Sequence, residues 1–148
     1  MKIRQASIND AAAIAEFNIK MAKETEGMDL IPKVINAGVS NMINNPAMGF
    51  YLVAEEDNVI QASLMVTTEW SDWRNGLFWW IQSVYVQPKF RREGLYSKLY
   101  NKVKTLAEAE TNVCGFRLYV EHENLVAKKT YQALGMNKTD YQMFEEMK

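Results

Sequence analysis

A long apolar strand, followed by a short turn and an amphipathic helix, limits the folds that this chain can adopt. Residues 77–86 form a strand-like apolar run. Apolar side chains then recur every three or four residues, at Leu95, Leu99, Val103 and Leu106. A second strand-like segment follows at residues 116–120. Because a strand, a helix and a strand in this order are typical of parallel pairing, the chain predicts a sheet with a parallel part.

The other periodic segments predict antiparallel strands and further helices. Strands are expected at residues 2–6, 50–54, 59–69 and 138–147, and helices near residues 7–27, 32–42 and 124–134. The three adjacent strands in the middle of the chain favour an antiparallel meander. The predicted fold class is therefore α/β, with a central mixed β-sheet flanked by helices on both faces.

Composition limits the classes of protein to which the chain can belong. Its 148 residues, 48% hydrophobic and 24% charged, are typical of one globular domain spanning residues 1–148. A net charge of −1 argues against a nucleic-acid binder, and no apolar run reaches about 18 residues, so no membrane span is expected. The single Cys114 excludes an internal disulfide and fits a cytoplasmic location, while one His and one Cys predict no metal site.

The turn after the long strand is a candidate anion site. A helix begins at Gly94, and its N-terminal amides and dipole suit a phosphate, with Arg91 and Arg92 adding positive charge. The pattern of Arg or Gln, two residues and Gly is weak, since about one match is expected by chance. A second copy ends at Gly135, where a helix terminates and its amides point the wrong way. The alternative for Arg91 and Arg92 is a solvated turn.

At this point the residues resemble the GNAT superfamily of N-acetyltransferases. Residues 84–99 look like motif A of that family, a strand followed by [RQ]-x-x-G-x-[GA]. Residues 116–120, Asn124, Tyr131 and residues 134–136 look like motif B. The resemblance covers essentially the whole chain. It implies a GNAT-type fold and an acyltransferase that uses acetyl-CoA as co-substrate.

The resemblance also implies which residues bind the co-substrate. Backbone amides at the helix start would hold the pyrophosphate, and the strand before the turn would pair with the pantetheine arm. The implied residues are Val84, Tyr85, Val86, Arg91, Arg92, Glu93, Gly94, Leu95, Tyr96, Ser97 and Asn124. Asn124 is equally suited to cap a helix. Tyr96 departs from the Gly or Ala of the motif, although its backbone amide can still serve.

The implied chemistry is direct transfer of an acetyl group to a primary amine. Tyr131 matches the residue that protonates the departing thiolate in many members, and the alternative is a tyrosine on a buried helix face. Some relatives place a glutamate base on the strand before motif A, but Gln82 stands there and an amide is no base. The sequence therefore names no base.

Acidic and indole side chains suggest a small cationic amine as acceptor. Carboxylates beside indole rings hold alkylammonium groups by charge and cation–π contact. The candidate substrate-binding residues are Glu26, close to Glu24 at the end of the first helix, and Glu69, Trp70 and Asp72 between two strands. Alternatively, the indole rings pack in a hairpin or in a homodimer interface.

The predicted function is an N-acetyltransferase acting on a small-molecule amine. The main alternative is a non-catalytic acyl-CoA sensor, which Tyr96 and Gln82 would favour. A third is a nucleotide-binding interaction domain, which would prefer ATP to CoA at the turn. Turnover separates the enzyme from the sensor, because only the enzyme releases CoA thiol when amines are added.

Overall fold

The computed structural model describes residues 1–148 and contains five strands and four α-helices. The strands are β1 (Lys2–Gln5), β2 (Gly49–Glu56), β3 (Val59–Ser71), β4 (Gly76–Val86) and β5 (Val113–Arg117). The helices are α1 (Ala11–Glu26), α2 (Pro32–Asn44), α3 (Leu95–Glu108) and α4 (Leu125–Ala133). The chain divides into two compact units, Met1–Leu118 and Tyr119–Lys148. None of the helices has both the length and the apolar composition that a membrane span requires.

The sheet is mixed, as the sequence predicts. Its strand order is β1-β2-β3-β4-β5, with antiparallel pairing from β1 to β4 and parallel pairing between β4 and β5. Gly115 of β5 lies against the ring of Phe78 on β4, and a Cβ at that position would come within 2.8 Å of the ring. A side chain at this position would therefore require the Phe78 ring to move.

Two of the expected strands differ in the structure. The segment after Leu134 contains no strand, so the prediction of a strand at residues 138–147 is wrong. A strand needs a hydrogen-bonding neighbour and a packed face, whereas the apolar side chains of Tyr141, Phe144 and Met147 are exposed there. The strand expected at residues 116–120 begins three residues earlier, at Val113.

Helices pack on both faces of the sheet in the first unit. One core cluster joins α1 and α2 to β2, and its buried residues are Ile14, Ala15, Val39, Met42, Tyr51 and Val53. Alternation along β2 directs Leu52 and Ala54 to the opposite face. Helix α3 contacts β1 to β4 and buries Leu99 and Val103 completely. Burial of each such side chain contributes about 1.5–3 kcal/mol, which holds α3 and the turn before it in place.

A partly buried ion-pair network lies at the start of α1. Asp10 ends a 3-10 turn, Ile8–Asp10, that leads into α1. Arg4 donates to both carboxylate oxygens of Asp10, at 2.8 and 3.0 Å, and to Glu55 at 2.6 Å. The Arg4 guanidinium holds the pKa of Asp10 below its ordinary value. This stabilisation is present above the ordinary carboxyl pKa and is lost as the pH falls through the lowered value.

Candidate active site

Strand β5 pairs with only the first part of β4, because β5 ends at Arg117. Their pairing runs from Leu77 opposite Val113 to Trp80 opposite Arg117. Strand β4 continues to Val86, so its last six residues have no strand partner on the β5 side. This length of β4 therefore presents backbone amides and carbonyls along an open edge, where an extended ligand can pair as a strand would.

A β-bulge lies within the open part of β4. Ser63 pairs with Tyr85 and Met65 with Gln82, so two residues of β4 oppose one residue of β3. Ser83 in the bulge has a left-handed backbone, with φ of 51°. Bulges of this kind redirect backbone groups and are common beside active sites. Sequence reasoning missed this feature because serine carries no special preference for that conformation.

Three of the expected co-substrate contacts lie on β4, at residues 84–86, and their backbone groups point in different directions. The Gln87 amide donates to the Gln61 carbonyl of β3 at 2.9 Å. Successive amides of an extended strand point to opposite sides, so those of Val86 and Val84 face away from β3. The Tyr85 backbone faces β3, and its side chain is buried. The amides of Val84 and Val86 thus lie on the open edge, whereas the Val86 carbonyl accepts from Arg91 Nε at 2.8 Å.

The β4–α3 turn, residues 87–94, ends in a cradle of backbone amides. Arg92 and Gly94 are both left-handed, with φ of 67° and 72°. The first helical hydrogen bond runs from the Lys98 amide to the Gly94 carbonyl at 3.1 Å, so the amides of residues 95–97 precede the helical ladder. A Cβ built at Gly94 would meet no atom within 4 Å. The space and the donors suit a phosphate group.

Arg91 is held by neighbouring protein groups. Its Nε donates to the Val86 carbonyl at 2.8 Å, and its Nη2 donates to Glu24 of α1 at 2.7 Å. The Tyr85 hydroxyl donates to the other Glu24 oxygen at 3.4 Å. Burial, together with the Glu24 charge, raises the pKa of Tyr85. The sequence analysis placed Glu24 close to Glu26, a candidate acceptor residue, but nothing in the sequence indicated that Glu24 contacts Arg91.

The candidate acceptor residues fall into two groups. Glu26 lies at the end of α1, within one turn of the Glu24–Arg91 contact. Glu69, Trp70 and Asp72 lie where β3 leads into the first residue of β4. Since β4 has 11 residues, they are about 30 Å along that strand from the β4–α3 turn. The structure therefore does not bring the two groups together.

The residues beside the start of β4 have partners of their own. Glu69 accepts from Arg117 at 2.6 Å, and the Arg117 guanidinium lies 3.6 Å from the centre of the Phe78 ring. The Asp72 carboxylate accepts the Trp73 amide at 2.8 Å and closes the turn locally. The Trp70 side chain is 58% exposed. No group of three or more His, Cys, Asp or Glu side chains is arranged to share a metal ion.

The second unit contains Asn124 and Tyr131. The Asn124 side chain accepts the Ala127 amide at 3.2 Å, so Asn124 caps α4. Tyr131 lies on the same helix and is partly buried, and burial raises the pKa of its phenol. Gly135 follows the end of α4 with φ of 95°, and the Met136 amide returns to the Tyr131 carbonyl at 3.0 Å. The second copy of the turn pattern therefore ends a helix, as predicted.

Comparison with known proteins agrees with this geometry. The sequence model of the acetyltransferase (GNAT) family matches residues 14–136. A crystal structure described as a possible acetyltransferase from Clostridium difficile 630 is 44% identical, with a TM-score of 0.92, over 99% of this chain and 96% of that one. The search of curated proteins finds no match.

More distant structures share the fold. A predicted acetyltransferase of Clostridium acetobutylicum, solved with acetyl-CoA, has a TM-score of 0.80 at 18% identity over 98% of this chain and 95% of that one. An aminoglycoside N-acetyltransferase in complex with CoA has a TM-score of 0.78 at 17% identity, over 99% and 93%.

The fold and the family match together define an acyltransferase, with a mixed sheet that opens beside a helix N-terminus. The chain belongs to the GNAT family of acetyltransferases. This membership confirms the resemblance of motifs A and B and favours the enzyme over the sensor.

Proposed function

We propose that this protein transfers the acetyl group of acetyl-CoA directly to a primary amine, with residues 1–148 acting as one N-acetyltransferase domain. The observation that carries the proposal is the open edge of β4 running straight into the amide cradle before α3. An extended thioester with a diphosphate at one end matches these two features in the same order. The family match crosses both compact units, which supports one working domain.

The residues of the first unit fit acetyl-CoA by their backbone. The cradle residues Arg92, Glu93, Gly94, Leu95, Tyr96 and Ser97 would hold the pyrophosphate. Val84 and Val86 would pair with the pantetheine arm, and Asn124 stays a prediction because its side chain caps α4. When bound, acetyl-CoA supplies an activated acyl group. The protein supplies orientation, because holding amine and thioester in one cleft removes much of the entropic barrier.

Two groups of the chain are proposed to act on the reacting atoms. The Val84 amide, turned away from β3 beside the bulge, would stabilise negative charge on the thioester oxygen. The Tyr131 phenol would protonate the departing thiolate. Burial raises the pKa of this phenol, so the side chain is in its protonated form at neutral pH, as a proton donor must be.

The proposed acceptor is a small cationic amine. Glu26 supports this choice, because it lies at the end of α1 that contacts the β4–α3 turn. Glu26 is exposed, so its carboxylate would attract an ammonium group from solution by charge. Glu69, Trp70 and Asp72 stay predictions for the same role from the other end of β4.

Calorimetric titration with acetyl-CoA, with ATP as the control ligand, tests the proposed function. We expect acetyl-CoA to bind with a micromolar Kd and ATP not to bind. A panel of amines would then be screened for release of CoA thiol. Absence of binding to acetyl-CoA, or equal binding of ATP, would contradict the proposal, as would binding without thiol release from any amine.

We further propose that the enzyme works in the cytoplasm and forms a homodimer. The single cysteine, which needs no oxidising compartment, supports the location. Exposed apolar side chains near the C-terminus support the dimer: Tyr141 is 77% exposed and Phe144 is 93% exposed. Large exposed apolar side chains close together in the chain are candidates for an interaction site.

Sedimentation velocity should show a particle of twice 17.1 kDa. Phe144→Ser should shift the protein toward the monomer, because it removes a large exposed anchor. Ile31→Ser, at another exposed apolar residue, is the matched control and should leave the dimer intact. A wild-type monomer at all concentrations would exclude the homodimer.

A further inference from the structure

An ion pair connects α1 to the β4–α3 turn. Glu24 and Arg91 are 67 residues apart in sequence, and Arg91 Nη2 lies 2.7 Å from Glu24 Oε2. The side chains of Arg91 and Glu24 are 43% and 41% exposed, so the pair lies at the surface. Exposed ion pairs contribute little to the free energy of unfolding. Loss of this pair should therefore leave folding nearly unchanged, so that an effect on ligand binding can be measured separately.

Several atoms of the Arg91 side chain contact other protein groups, and Arg91 directly precedes the amide cradle. Its Nε donates to the Val86 carbonyl, which ends β4, and its guanidinium lies 5.5 Å from the centre of the Tyr85 ring. The next residue, Arg92, has φ of 67°, a backbone conformation that residues other than glycine rarely adopt. Contacts that fix Arg91 therefore fix the backbone where the amide cradle begins.

The contacts of Arg91 also reduce what it can offer to a phosphate. A guanidinium has five N–H donors, and here it donates through two of its nitrogens to protein oxygens. The Glu24 carboxylate also neutralises much of its charge at short range. Arg91 is thus placed better to shape the turn than to bind the diphosphate by charge.

We propose that Glu24 and Arg91 are positioning residues that together preorganise the amide cradle at residues 92–97 for a pyrophosphate. The inference rests on the proposed function and deepens it, because Arg91 would hold the turn in place and would not contact the pyrophosphate by charge. We call this positioning role of the Glu24–Arg91 pair the strut. Glu24 acts only through Arg91. The pair matters for ligands that carry the pyrophosphate and not for the thioester end of the molecule.

A double-mutant cycle tests the strut. Glu24→Gln, Arg91→Gln and the double variant would each be titrated with acetyl-CoA by calorimetry. We expect each single variant to raise Kd about 5- to 10-fold and the double variant to be no worse than a single one, since coupled residues are not additive. Glu16→Gln is the matched control: Glu16 pairs with Lys20 on the same helix at 2.6 Å, and Kd should not change.

Two further measurements separate a strut from a direct phosphate contact. Arg91→Lys keeps the charge but loses the forked geometry, so it should behave like Arg91→Gln. With acetylpantetheine, which lacks the pyrophosphate, kcat/KM of all the variants should equal that of the wild type. A general structural defect would lower kcat/KM for acetyl-CoA and for acetylpantetheine alike.

Three results would overturn the strut. These are additive effects in the cycle, tighter binding by Glu24→Gln, or wild-type affinity in Arg91→Lys. The last two would make Arg91 a direct phosphate ligand. A wild-type protein that binds no acetyl-CoA at all would overturn the proposed function and the strut with it, so the two failures have different signatures.

Discussion

Replacement of Gly94 by glutamate should abolish acetyl-CoA binding, with a rise in Kd of at least about 100-fold. Gly94 is left-handed, with φ of 72°, and the space beside its Cα is open. A glutamate side chain would enter the cradle in which the pyrophosphate is proposed to lie. Its carboxylate would repel the diphosphate and compete for the amides at the start of α3.

Two variants divide the effect of Gly94→Glu into its causes. Gly94→Ala carries only the left-handed strain, about 1 kcal/mol, and should cost at most a few-fold in Kd. Gly135→Glu places the same residue at another open, left-handed glycine, with φ of 95°, and should leave Kd unchanged. Thermal unfolding would check that each variant folds. Micromolar binding by a folded Gly94→Glu protein would mean that the phosphate lies elsewhere.

Replacement of Tyr131 by phenylalanine should lower kcat by about 10- to 1,000-fold while leaving the Kd of acetyl-CoA nearly unchanged. The change removes the hydroxyl alone and keeps the partly buried aromatic ring. Without a proton donor the thiolate must leave unprotonated, which raises the barrier of that step. Single-turnover release of thiol separates this chemical effect from slow release of products.

The pH dependence gives a second check on Tyr131. Burial raises the pKa of this phenol, so the acid form persists as the pH rises to its ordinary value near 10 and beyond. The ratio of kcat between wild type and Tyr131→Phe should therefore stay constant from about pH 6 to 9. Tyr141→Phe, at an exposed tyrosine, should match the wild type. An unchanged kcat in Tyr131→Phe would remove this residue from the mechanism.

Local patterns were sufficient wherever one element determines its own structure. The helical spacing of Leu95, Leu99 and Val103 predicted α3, and all three are buried. The order of strand, helix and strand predicted the parallel pair. The prediction of a strand at residues 138–147 was wrong, because a strand also requires a neighbour, and a local segment contains no information about whether one is present.

Part of the site could be predicted in the same way, and part could not. Gly94 is visible in the sequence, since a glycine between a strand and an apolar helix marks a special backbone position. The acidic residues of the β3–β4 connection are also visible, but the pairing of Glu69 with Arg117 is not. That ion pair joins strands whose distance depends on the register of β4 between them.

The amino-acid sequence was enough to predict the mixed α/β sheet, the turn that begins α3 and the resemblance of motifs A and B to the family. These depend on residues close together in the chain, where periodicity and backbone preference act directly. Only the tertiary structure decided the bulge at Ser83, the open edge of β4 and the contact of Glu24 with Arg91. Each of these arises because packing and strand register bring distant segments together, and no short pattern encodes such a distance.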